Sequence, residues 1–74
     1  MDLNKYRVDF DITYTPAAGI PKSTPGYELV YAGSDASAKL VAKARALASL
    51  KKQNCKLVMI DLKDPILLEK AEKT

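Results

Sequence analysis

Seventy-four residues with a net charge of +3 and 47% hydrophobic side chains hold one domain at most, because a chain of this length buries only about 60% of the surface that its unfolded form exposes. Cys55 is the only cysteine, which excludes an intrachain disulfide and leaves a dimer or a bound partner as routes to extra stability. No apolar run approaches the roughly 20 residues of a membrane helix, and Met1-Asp2-Leu3-Asn4-Lys5 lacks the basic and apolar regions of a signal peptide, so a cytoplasmic protein away from membranes is expected.

From 6 to 15, Tyr6, Val8, Phe10, Ile12 and Tyr14 alternate with Arg7, Asp9, Asp11 and Thr13, the period-two pattern of a strand with one buried face. Residues 16–26 hold three prolines and two glycines, which remove backbone donors and break pairing, so a long hairpin loop is expected there. Residues 27–32 alternate again, with Tyr27, Leu29 and Tyr31 on one side and Glu28 and Val30 on the other.

Gly33-Ser34-Asp35 then punctuates the chain, and either Ser34 or Asp35 is suited to accept from the free amides of a first helical turn. A helix is expected over 36–53. Leu40, Val41, Ala44, Leu47 and Ala48 recur at spacings of three and four, predicting the stripe that faces the sheet, with Leu50 at its edge. Asn54 reads as the stop, and residues 56–62 as a nearly continuous apolar strand. Asp64-Pro65 reads as an N-cap with proline in the first helical position. It predicts a short helix over 65–73 whose Ile66, Leu67, Leu68 and Ala71 cover a sheet edge.

These elements predict an α+β domain of order ββαβ(α). A strand-helix-strand crossover is right-handed in nearly all proteins, and the first strand is the longest, so the three-stranded antiparallel sheet should run in order 2-1-3 with the long helix on one face.

Charge is unevenly placed along the chain. Residues 36–63 carry seven basic side chains and one acidic, a local +6, against −2 over 1–35 and −1 over 64–74. Lys39, Lys43, Arg45, Lys52 and Lys56, with Lys51 beside them, form a candidate basic face for phosphates or an acidic protein surface. Against nucleic acid, the helix has no aromatic residue for stacking, and Lys39 and Arg45 lie about 120° apart at 3.6 residues per turn. If Val8, Phe10 and Ile12 turn toward the helix, then Asp9, Asp11, Glu28 and Asp61 mark an acidic face on the other side of the sheet. Asp9 and Asp11, with Asp61, are oxygen ligands of the kind Mg²⁺ prefers. On a flat solvated sheet such residues more often keep the face soluble, and no metal is expected. Ile20 and Lys22 in the long hairpin loop would form either a stiff arm that reaches into a partner or a floppy tip.

No enzyme is expected, and no cofactor. The sequence has no histidine, no metal-spaced cysteine set and no phosphate-cradling glycine loop, so Cys55 has no base to activate it.

In layout, the two strands, the Gly33-Ser34-Asp35-Ala36-Ser37-Ala38 start of an alanine-rich helix, and the returning Leu57-Val58-Met59-Ile60 strand resemble small phage-encoded accessory proteins, including some anti-CRISPR inhibitors. The resemblance spans residues 6 to 62 and implies a protein that acts by occupying a host complex rather than by chemistry. The expected function is therefore a protein-interaction module or inhibitor acting on a larger protein complex. The alternative is a small basic nucleic-acid-binding domain that uses the helix over 36–53 and Lys56.

Overall fold

The alternation of the first strand buries Tyr6, Val8, Phe10 and Ile12 on one side of the sheet. The computed structural model describes residues 3–71. The chain runs β1 (Asn4–Thr15), β2 (Lys22–Ala32), α1 (Asp35–Lys52), β3 (Lys56–Leu62) and β4 (Ile66–Glu69). The sheet has the order β2-β1-β3, with β4 also on β1, and every pairing is antiparallel. This is the α+β architecture expected from the sequence, with one long helix on one sheet face and a fourth strand added.

Two differences from the expectation go beyond a shift of one or two residues at an element's end. β2 starts at Lys22, opposite Tyr14, so the hairpin connection shortens to residues 16–21. Pro25 does not prevent this, because β2 ends the sheet and an outer strand tolerates a missing donor. The second difference is larger: residues 66–69 form a strand, not a helix. Leu62 lies opposite Phe10, so β3 covers only the Phe10–Thr15 half of β1. The Lys63 amide then donates to the Asp9 carbonyl at 2.8 Å, and beyond Pro65 the chain continues down the same edge to pair Ile66 with Arg7 and Glu69 with Lys5. A helix beginning at 65 would leave that stretch of β1 unpaired, and a backbone edge offered to a chain already beside it is filled by strand. Residues 72 and 73 of the expected helix lie outside the described residues.

The helix meets the sheet through Ala38, Ala42, Ala46 and Leu50, all buried. This corrects the expected stripe. Leu40, Ala44 and Ala48 are exposed, while Val41 and Leu47 are half-buried at the flanks. Side chains four apart step about 40° around a helix, so a lane of fours crosses the sheet obliquely, as a twisted sheet requires. Alanines along that lane let the helix approach closely, and the fully buried Val8 and Val30 fill the space beneath Ala38 and Ala42. A second cluster, Phe10, Ile12, Ala46 and Leu50, continues the core toward the hairpin end.

Both helix ends are closed by local hydrogen bonds. Ser34 is the N-cap, its hydroxyl accepting from the Ser37 amide at 3.2 Å. At the other end Asn54 adopts φ 56°. The Cys55 amide donates back to the Leu50 carbonyl at 2.9 Å and the Asn54 amide to that of Lys51 at 3.2 Å, the paired bonds of a Schellman motif. That left-handed residue turns the chain from α1 directly into β3.

Candidate functional site

Residues directly opposite in a sheet share a face, and the register places Lys5, Arg7, Asp9, Asp11 and Thr13 of β1 on the open side with Tyr31, Leu29 and Tyr27 of β2. Asp61 and Met59 join them from β3, opposite Asp11 and Thr13. Asp9, Asp11 and Asp61 therefore share the expected face, but Glu28 does not. It lies opposite Val8 and points to the helix side, because alternation in β2 puts the aromatic residues outward.

The open face is mixed in charge rather than acidic. Arg7 Nε lies 3.1 Å from the Asp9 carboxylate, and its guanidinium carbon stands 4.3 Å from the centre of the Tyr27 ring. Lys63 Nζ lies 2.7 Å from Asp61 and 3.5 Å from Asp11, so one ammonium bridges two carboxylates that the register sets directly opposite each other. The hydrogen bond and charge of Asp61, with a smaller contribution from Asp11, raise the Lys63 pKa above the ordinary lysine value. Among the described residues no group of three histidine, cysteine or acidic side chains converges as a metal site.

The basic side chains of the helix are divided. Lys39 Nζ reaches Asp64 at 3.4 Å on the β3-β4 side, and Arg45 donates to the Leu29 carbonyl of β2 at 2.9 Å on the opposite flank. The structure thus does not gather the five predicted basic residues on one face. Lys43, Lys52 and Lys56, with Lys51, are exposed, and each is without a hydrogen-bonded or ion-paired partner among the described residues.

Between these cations runs an apolar lane that the periodicity had assigned to the core. Leu40 is 69% exposed, and Ala44, Leu47 and Ala48 continue the outer surface of α1. β3 approaches this lane through a bulge: Met59 lies opposite Thr13 and Leu57 opposite Tyr14, leaving Val58 as the extra residue. The bulge changes the alternation, so Leu57 turns to the helix side, where it lines a groove of about 540 Å³ with Ala44, Leu47, Ala48, Cys55 and Lys51. A second cleft of about 450 Å³ opens on the β2 side, where Glu28 and Arg45 stand over Phe10, Tyr14 and Leu50.

At the hairpin tip Ile20 is 76% exposed. Lys22 is not in the loop but is the exposed first residue of β2, so the arm is shorter than expected. Two apolar surfaces escaped the sequence reading as candidate sites: the α1 lane and the outward row Tyr27, Leu29 and Tyr31. The row's signal was its placement opposite Val30 in the alternation. The lane's signal was the run of alanines spaced by four, which offered the helix a second, closer-packing face.

Among the described residues no helix is long and apolar enough to cross a membrane. No protein-family model, curated protein or solved structure matches the chain.

Proposed function

We propose that this chain is a non-enzymatic protein-interaction module that inhibits or modulates a larger complex by occupying it, in keeping with its resemblance in layout to phage-encoded accessory proteins. The observation that carries the reading is the outer surface of α1, where the Leu40–Ala48 lane is bordered by Lys43 and Lys51, exposed and without an ion-pair partner among the described residues. An exposed leucine and a half-buried one beside exposed cations match the anatomy of a binding surface, with an apolar centre and a polar rim. A cytoplasmic setting is part of the same proposal. The test is capture of partners by the immobilised chain from nuclease-treated lysate of the source cells. The reading expects a protein retained specifically and at stoichiometric yield, and it is abandoned if nothing exceeds the background of an unrelated basic protein.

A second reading is favoured by the local +6 of residues 36–63. In it, Lys43, Lys52 and Lys56 neutralise the phosphates of DNA or RNA without regard to base sequence. It requires binding that falls steeply between about 50 and 200 mM salt as counterions are released, and loss of that binding when Lys43 and Lys52 are changed to glutamate. Absence of any shift of labelled DNA and RNA at low salt removes it.

A further inference from the structure

The outer surface of α1 differs from an ordinary solvated helix in what borders it. Leu40, Lys43 and Leu47 are three and four residues apart, as are Leu47 and Lys51 and Ala48 and Lys51, so each lysine is a surface neighbour of the apolar lane. Leu57 forms the opposite wall of the groove, whereas Lys56 lies opposite Thr15 and so belongs to the open face of the sheet. Among the described residues the carboxylate on this flank is Asp64, held by Lys39 at 3.4 Å near the Leu40 end. The only acidic residue of α1 is Asp35 in its first turn, and Asp61 of β3 lies on the far face of the sheet. An apolar lane bordered by Lys43 and Lys51 therefore runs along the helix for about 17 Å, three turns from Leu40 to Lys51 at 1.5 Å per residue.

We propose that this groove docks an acidic amphipathic helix of a partner protein, an inference that rests on the interaction-module reading above. The length fits a helix presenting apolar anchors at positions i, i+3 or i+4, and i+7, the spacing by which helices seat in grooves. Ala44 and Ala48 leave depth between Leu47 and Leu57 for a leucine-sized anchor, and carboxylates flanking it meet Lys43 and Lys51. A second copy of this chain is disfavoured by its own charge. Two α1 surfaces placed face to face would set lysine against lysine with no acid to separate them. A nucleic acid would find the cations but no aromatic side chain on the lane to stack upon.

The test uses two fluorescein-labelled helical peptides with leucines at that spacing, one flanked by glutamates and one by lysines at the same positions. Fluorescence anisotropy should show saturable binding of the acidic peptide in the range of about 1–100 µM, and none of the basic one. Ala44→Arg fills the groove, and a Lys43→Glu/Lys51→Glu double variant reverses its rim. All three positions are exposed, so the fold should persist, as circular dichroism checks. Each variant should weaken binding ten-fold or more. The inference is overturned by failure of the acidic peptide to saturate, or by binding that Ala44→Arg leaves unchanged. It is also overturned by sedimentation showing a dimer that Ala44→Arg disperses, or by DNA or RNA binding lost in the double variant with no peptide binding at all. A lysate partner still captured by both variants overturns the groove while leaving the interaction module standing. Peptide binding with no lysate partner counts against the module and not against the groove's preference.

Discussion

Replacing Gly26 with alanine probes the closest approach between β2 and the core. Gly26 lies opposite Phe10, and a Cβ there would stand 2.7 Å from Phe10 Cε1 and 2.9 Å from Cζ, against 3.4–4 Å for ordinary contact. The ring is not a loose end. It is 9% exposed and shares a cluster with Ile12, Ala46 and Leu50, so either the ring or β2 must yield by about 0.7 Å. Overpacking of this kind costs about 1–3 kcal/mol, and alanine's stiffer unfolded chain offsets about 0.5–1 kcal/mol of it. The net loss should be about 1–2 kcal/mol, a fall in melting temperature of about 5–15 °C for a domain of this size. Thermal and urea unfolding followed by circular dichroism measures it. Adding Phe10→Leu should recover part of the loss, because the shorter side chain vacates the contested space, so the two changes should cost less together than separately. An unchanged or raised midpoint for Gly26→Ala, or strict additivity in the double variant, would refute the contact.

Further outcomes follow from the helix and its ends. Ala42→Leu should destabilise by about 1–3 kcal/mol through overpacking against the sheet, whereas Leu40→Gln should stay within about 0.5 kcal/mol of the parent; urea midpoints compare them. Asn54→Gly should stabilise by about 0.5–1 kcal/mol by relieving the positive φ, read from the same curves. Lys63→Met should destabilise, because it leaves Asp11 and Asp61 opposed, and added salt should diminish the loss. The raised Lys63 pKa gives the alkaline limb its sign. Its stabilisation is fully present below the ordinary lysine pKa and is lost as pH rises through the higher folded value. Because the ammonium is solvent-exposed the change in stability should be small, so side-chain NMR titration is the better readout, with Lys63 losing its proton above the ordinary lysine pKa.

The central strand was legible because alternation over ten residues from Tyr6 leaves one way to bury the apolar set, and handedness then placed the third strand beside it. The strand over 66–69 was not legible. Asp64-Pro65 is as suitable a strand interruption as a helix start, and only the uncovered half of β1 decides between them. The helix face failed for a related reason. Leucine and valine spacing ranks hydrophobicity, but the sheet selected Ala38, Ala42 and Ala46, whose small size permits close approach. The same substitution of faces produced the candidate site, since leucines released from the core became the outer lane. In the basic set, Lys39 and Arg45 were drawn to partners on opposite flanks, Asp64 and the Leu29 carbonyl, which depend on tertiary geometry. On the other side of the sheet, cross-strand register decided that Glu28 would leave the acidic group and that Lys63 would neutralise two of its members.

Methyl NMR with a soluble paramagnetic agent tests most directly which side of the helix faces water. Strong relaxation enhancement at the Leu40, Ala44 and Ala48 methyls, with protection of Ala38, Ala42, Val8 and Val30, is the predicted pattern. Protection of Leu40 and Ala44 together with enhancement at Ala38 and Ala42 would contradict it, and would remove the lysine-edged groove along with it.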